Sequence, residues 1–172
     1  MKTSLVRLQR GTRALAHSSA STASLRLPTS ALPTSLAACH AAFPVVHATR
    51  VEFRDLDPYS HVNNATYFSY FEEARMAAWP KGVEPKGIAP VLADVWCAFR
   101  RPVALYDVVH IGLRVDNVNV EASTFEHRYV VWSEALGQVA AQGGATVVLC
   151  DFDRQGRRAT GLAPTDLERW GC

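Results

Sequence analysis

Asp55, Asp57 and His61 fall within seven positions of the run 51–75, which reads VEFRDLDPYSHVNNATYFSYFEEAR. Two carboxylates and an imidazole stand just ahead of Asn63 and Asn64, and an aromatic-rich stretch of helical character follows. The first backbone N–H groups of a helix have no intrahelical partner. Side chains set in front of them share a place that stabilises negative charge growing on a bound carbonyl oxygen. The chemistry this spacing points to is work on a bound carbonyl, with the helix start receiving the developing charge.

The elements that must position these residues are legible around them. Partial alternation and β-branched residues predict a strand over 45–53. Residues 55–60 read as a turn in which Pro58 fixes φ and blocks a helix, and Asn63 or Asn64 is a good N-cap. The helix is expected to run to Ala78 or Trp79, stopped by Pro80 and Gly82. Its apolar stripe is Tyr67, Phe71, Ala74 and Ala78, widened by Phe68 and Tyr70, with Glu72, Glu73 and Arg75 on the polar margin. Four long strand-like runs follow, at about 89–99, 108–118, 123–132 and 138–152, separated by turn signals. A short helical turn is expected at 164–170. The order is one strand, one helix and four strands, so the expected fold class is α+β, a five-stranded antiparallel sheet around one long central helix. Gly143-Gly144, inside the last run, suggests a β-bulge.

A chain of 172 residues with 48% apolar residues holds one domain and an extension. No run approaches the roughly 18 apolar residues that span a bilayer. No acidic residue precedes Glu52, and five of the 18 Lys and Arg residues (Lys2, Arg7, Arg10, Arg13, Arg26) lie in the leader. The remainder has 13 basic against 16 acidic residues, about −3, which gives no electrostatic reason to expect nucleic acid. Residues 1–45 are expected to be a disordered leader or transit peptide and 46–172 the folded domain. Leu5, Leu8, Thr12 and Leu15 share one helical face opposite Arg7, Arg10 and Arg13, and a Ser/Thr/Ala/Pro tract follows. The amphipathic helix points to a mitochondrion, the tract to a plastid. Cys39, Cys97, Cys150 and Cys172 show neither CxxC pairing nor metal-ligand spacing, so free thiols are expected.

The run 54–75 resembles the signature of the hot-dog-fold thioesterases, in the 4-hydroxybenzoyl-CoA and acyl-CoA thioesterase branch. That signature is aromatic-x-D-x-D-x-x-x-H-V-N-N, then Tyr, then F-E-x-A-R. It stands here as Phe53, Asp55, Asp57, His61-Val62-Asn63-Asn64, Tyr67 and Phe71-Glu72-Glu73-Ala74-Arg75. A fainter similarity continues through Phe99-Arg100-Arg101-Pro102, Tyr106-Asp107 and the glycine pair, over about 46–168. The resemblance implies a hot-dog fold and hydrolysis of an acyl-thioester, acyl-CoA or acyl-ACP, with no metal and no redox cofactor. It implies that Asp57 acts as nucleophile or as the base for water, and that helix-start amides, Tyr67 N–H among them, polarise the carbonyl. Plant acyl-ACP thioesterases carry a related stretch with Asn where this chain has Tyr59, so their Asp-Asn-His set does not transfer.

Beside Asp57, His61 is a candidate to orient the carbonyl, the carboxylate or the water. Asn63 and Asn64 are expected to shape the loop and cap the helix, and Asp55 to be structural. Glu72 is the second carboxylate in the region; an ion pair with Arg75 is its expected role. Arg100, Arg101 and Arg114 are candidates for CoA phosphates. Two other readings compete: a hot-dog hydratase or dehydratase, and a non-catalytic acyl-thioester-binding subunit. The first uses Asp-x4-His or a His and an acid on different elements, whereas Asp57 and His61 enclose three residues. A sheet with open edges and a family whose sites lie between subunits imply a homodimer or homotetramer. Trp96, Trp132 and Trp170 are expected to fill core.

Overall fold

The structure is a computed structural model that describes residues 26–78, 87–155 and 157–159. Five long strands form an antiparallel sheet: β1 (Val45–Arg50), β2 (Ile88–Phe99), β3 (Val108–Asn119), β4 (Thr124–Ser133) and β5 (Gln138–Asp151). They lie in the order β1-β3-β4-β5-β2, and a two-residue β6 (Arg157–Arg158) adds to β5. The strands begin and end within a few residues of the positions that alternation and turn residues predict. The expected turn at 164–170, Trp170 and Cys172 lie outside the described residues, as do residues 1–25.

The long helix α2 (Thr66–Ala78) lies on one face of this sheet. Tyr67, Tyr70, Phe71 and Ala74 bury against Val109, Ile111 and Leu113 of β3, Tyr129 and Val131 of β4, and Ala141 and Ala145 of β5. The alternate positions of each strand point the same way, so the period-2 pattern builds the floor on which the helix sits. Phe71 is the central piece: it is fully buried and stacks on Tyr129 with ring centroids 4.3 Å apart. Gly143 makes this seat. A Cβ there would stand 2.5 Å from the Phe71 ring, and one on Gly144 would stand 2.7 Å from the Trp96 indole nitrogen. The expected bulge at this pair is therefore corrected. Both glycines stay in regular register with β4 and β2, and the register shifts fall at Leu92/Asp94 and Val131/Trp132. Close approach, rather than an extra residue, is what these glycines serve.

Residues 26–44, which composition places in the leader, form a strap packed on the opposite face. Ser35 accepts the Ala38 N–H at 3.0 Å and caps a short helix α1 (Leu36–Ala42). Cys39 and Phe43 are buried with Val130, Trp132 and Val139, and Leu27, Leu32 and Leu36 pack at the margin. Gln142, itself buried, accepts the Leu27 N–H at 3.0 Å and donates to the Leu27 carbonyl at 3.3 Å. Gly112 admits Phe43, whose ring atoms lie 2.8 Å from where a Cβ would be. The sheet is thus covered on both faces. Cys39, Cys97 and Cys150 are free thiols, and burial pushes Cys39 up to about 11 and Cys97 to about 12. Among the described residues no helix is long and apolar enough to cross a membrane.

Candidate functional site

The loop from β1 to α2 is held in shape by its own polar atoms. Asp55 ends a short 3-10 turn (Phe53–Asp55), accepting the Glu52 N–H at 2.8 Å and the Tyr70 hydroxyl at 3.1 Å. Arg54 pairs with Glu52 at 2.9 Å. Asp55 is thereby occupied with structure. Burial, then the neighbouring Asp55 carboxylate, keep Tyr70 protonated far above the usual phenol range.

Asp57 is placed differently. Its Oδ1 accepts the Tyr59 N–H at 2.8 Å and the His61 N–H at 3.3 Å, while its own N–H donates to the His61 carbonyl at 2.8 Å. Pro58 sets the turn and Ser60 closes it in the left-handed region at φ 64°. These bonds fix the half-buried carboxylate and leave Oδ2 without a hydrogen-bond donor among the described residues. His61 pairs by a bridge with Ala104, so its backbone is fixed while its side chain is exposed.

The helix start faces the same space. Asn63 Oδ1 accepts the Ala65 N–H at 2.9 Å and its carbonyl accepts Thr66 N–H at 2.9 Å, so Asn63 caps, as expected. Phe68 N–H goes to the Ala65 carbonyl at 3.1 Å. Tyr67 N–H, between them, has no acceptor among the described residues. A cleft of about 290 Å³ brings together Asp57, His61, Asn64, Tyr67, Arg100 and Arg101, with Val62, Phe99 and Pro102. Burial raises the Tyr67 phenol well above its ordinary range, and its ring packs edge-on to Phe99 at 5.1 Å. The side chain stays neutral, and the backbone N–H of the same residue has no acceptor among the described residues. A carboxylate with one free oxygen and an unpaired amide in one cleft can direct water at a carbonyl and receive the resulting oxyanion.

Glu72 is not part of this cleft. It is exposed on α2, and the ion pair expected with Arg75 is not formed: Arg75 Nη1 donates to Tyr129 Oη at 3.1 Å instead. Tyr129 Oη also lies 3.1 Å from His127 Nδ1. Arg75 and His127, linked through the buried Tyr129 hydroxyl, line a small cavity of about 70 Å³ at the far end of α2, with Val91, Leu92, Leu113, Phe125 and Val147. Burial, then the Arg75 charge, lower the His127 pKa to about 4. Strand periodicity, which puts Phe125, His127, Tyr129 and Val131 on the helix-facing side, was the signal that finds it. Arg114 sits elsewhere, beside Asp116 at 3.3 Å and over Phe43, away from the cleft. Asp107 is buried and accepts from the Ser133 hydroxyl and from Ala135 N–H, which fastens the start of β3 to the β4 end. Among the described residues no group of three or more His, Cys, Asp or Glu side chains is arranged to hold a metal ion.

Comparison with known proteins agrees with this architecture. Residues 51–170 match the family model of the thioesterase-like superfamily. The long-chain acyl-CoA thioesterase FadM of Escherichia coli (strain K12) is 31% identical over 105 residues, covering 58% of this chain and 78% of that protein. A Thermus thermophilus thioesterase solved in complex with coenzyme A and Zn is 33% identical, covering 76% of this chain and 99% of that one, with a TM-score of 0.62. A 1,4-dihydroxy-2-naphthoyl-CoA thioesterase from Synechocystis, 15% identical, covers 73% of this chain and 94% of that one and shares the fold with a TM-score of 0.61. The chain belongs to the thioesterase-like superfamily and is a thioester hydrolase of the hot-dog fold.

Proposed function

We propose that this protein hydrolyses acyl-CoA to a free carboxylic acid and CoA, with Asp57 as the acting carboxylate. The observation that carries the reading is the pairing of Asp57, whose Oδ1 is fixed by two backbone amides, with the unpaired Tyr67 N–H in one cleft. Asp57 Oδ2 takes a proton from water as the water oxygen bonds to the thioester carbon, or bonds to that carbon itself. In the second case loss of the thiolate leaves an acyl-Asp57 anhydride that a water then opens to the free acid and the Asp57 carboxylate. The carbonyl oxygen gains the negative charge and is held by Tyr67 N–H at the positive end of α2. Collapse of the adduct breaks the C–S bond, and the sulfur leaves as thiolate and picks up a proton. A thioester is activated enough that one carboxylate and one oxyanion site suffice. His61 orients the water or the carbonyl, Asn64 lines the entrance, and Arg100 and Arg101 meet the CoA phosphates. Acyl-CoA is favoured by the coenzyme A bound to the Thermus relative and by FadM, a long-chain acyl-CoA thioesterase.

The active unit of this proposal is a homodimer. β2 is hydrogen-bonded on one side only among the described residues, and it exposes Val91, Leu92, Val95 and Phe99 along 38–45% of each residue's surface. An apolar open edge of this kind calls for a second copy. Sedimentation of the full chain checks it, and a monomer at micromolar concentration overturns it. The basic amphipathic pattern of residues 5–15 supports import into mitochondria, read by imaging a fluorescent fusion against one that lacks residues 1–25.

The chemistry is tested by following thiol release from a panel of acyl-CoAs. Asp57→Ala is expected to lower kcat at least ~100-fold, the scale of losing a positioned base or nucleophile. Turnover that survives in Asp57→Ala contradicts the site. Single turnover in ¹⁸O-water probes the nucleophilic role, because label in Asp57 requires an anhydride opened by water at the Asp57 carboxyl carbon, and a base acquires none.

A further inference from the structure

The strap 26–44 precedes the stretch that the family model matches, which begins at residue 51. It does more than cover the outer face. Thr29, Leu32, Pro33 and Thr34 form one wall of a second cleft of about 350 Å³, opposite Gly137, Gln138 and Val139 of the β4–β5 hairpin. The remaining lining residues are Arg100 and Arg101, which also line the Asp57 cleft. Each cleft alone is at the small end for a ligand site, since such pockets run to about 300–1,000 Å³. The two clefts share Arg100 and Arg101 as a common wall, so a ligand held at these arginines is within reach of both.

The arginines are held in place and lack a counter-charge. Both backbone N–H groups donate to the Ala140 carbonyl, at 2.8 and 3.1 Å, which fixes the pair against β5. Arg101 Nη1 donates to the Arg100 carbonyl at 2.9 Å, and Arg100 Nη1 reaches the strap at Thr29 Oγ1, 3.4 Å away. Arg100 Nε is buried with no hydrogen-bond partner among the described residues, and neither guanidinium is paired with a carboxylate there. A buried guanidinium N–H without an acceptor is costly and rare. That group and the exposed guanidinium of Arg101, both lining the two clefts of a domain whose net charge is otherwise acidic, are a place for a multiply charged anion.

We infer that the strap cleft holds the 3′-phosphoadenosine end of CoA, with its phosphates on Arg100 and Arg101, so that the strap selects CoA over a carrier protein as the acyl donor. The inference rests on the acyl-thioester reading of the Asp57 cleft. A carrier protein presents its acyl group on phosphopantetheine without a nucleotide, so the strap cleft would give it nothing. Leu32, Pro33 and Val139 offer the apolar surface that a base needs, and Thr29 and Thr34 supply hydroxyls for the sugar or phosphate.

The test uses the full chain and its Thr34→Glu variant, which sets a carboxylate at the exposed wall facing the arginines. Calorimetric titration with adenosine 3′,5′-bisphosphate is expected to show binding to the wild type and at least tenfold weaker binding to the variant, with Thr34→Lys binding no worse than wild type. The KM for acyl-CoA should rise at least tenfold in Thr34→Glu, while hydrolysis of the same acyl group on N-acetylcysteamine, which lacks the nucleotide, stays within twofold. No binding of the bisphosphate to the wild type, or equal binding by wild type and Thr34→Glu, overturns the inference. So does acyl-carrier protein turned over as fast as acyl-CoA. Bisphosphate binding without hydrolysis of any thioester would instead leave the strap site standing and remove the proposed activity.

Discussion

The two ends of α2 both gather titratable groups, and they treat them in opposite ways. At the N-terminal end Asp57 and His61 sit in an open cleft, their backbones locked by hydrogen bonds and one carboxylate oxygen left over. At the C-terminal end Arg75, Tyr129 and His127 are tied to one another beside a small apolar cavity, and burial raises the tyrosine and lowers the histidine. There the perturbed groups spend their hydrogen-bonding capacity on each other. Chemistry needs the reverse: a fixed group with unspent hydrogen-bonding capacity and access to substrate. The closed end holds the helix on the sheet, and the open end is where we propose the chemistry.

This contrast breaks most easily through its middle. Phe71, fully buried between the two ends and seated over Gly143, should cost about 3–5 kcal/mol as Phe71→Ala, the range for an aromatic core truncation. Denaturant midpoints measure it, and a loss below ~1 kcal/mol would mean that the helix is not anchored there.

The closed end can be probed by pH. His127 is neutral in the folded chain down to about pH 4, whereas an unfolded histidine titrates near its ordinary value of 6.5. Its folded pKa is depressed, so the unfolded chain binds the extra proton first. The stability this residue allows is complete above about pH 6.5 and is lost as pH falls toward 4, by about 3 kcal/mol across the window. His127→Gln, which keeps a polar side chain but does not titrate, should flatten the wild-type slope between pH 6.5 and 4; identical slopes would contradict a buried neutral imidazole. Smaller again is Tyr129→Phe, which takes the acceptor from Arg75 Nη1 and should cost about 1–2 kcal/mol. Smallest is Glu73→Gln, at a 3.4 Å contact with His47 on the exposed flank of α2, where less than about 1 kcal/mol is expected.

The strands, α2 and the turn that leads into it were legible because alternation, the aromatic stripe and the Asp-to-Asn spacing are local patterns. The strap was not, because Ser, Thr, Ala and Pro around it carry the composition of a tail. Its own signal was small: Ser35 as a cap, then Leu36, Cys39 and Phe43 at helical spacing, the residues that bury or pack on the outer face. Arg75 was misread for a physical reason too. Helix spacing offers Glu72 as a neighbour, but the acceptor that Arg75 takes belongs to Tyr129, 54 positions away. Long-range choices of this sort, like the fit of Phe71 over Gly143, are made by the assembled fold. The left-over oxygen of Asp57 belongs with them, since a motif names the residue and only the turn geometry says which lone pairs are spent.

The most direct measurement sets the two ends of α2 against each other: thiol release from acyl-CoA and the unfolding midpoint, taken together on Asp57→Asn and Tyr129→Phe in the full chain. Asp57→Asn is predicted to lose at least ~100-fold in kcat with a midpoint near wild type, and Tyr129→Phe to lose stability while kcat stays within a few-fold. The opposite pattern, turnover lost with Tyr129→Phe and kept with Asp57→Asn, would move the chemistry to the closed end and contradict the account.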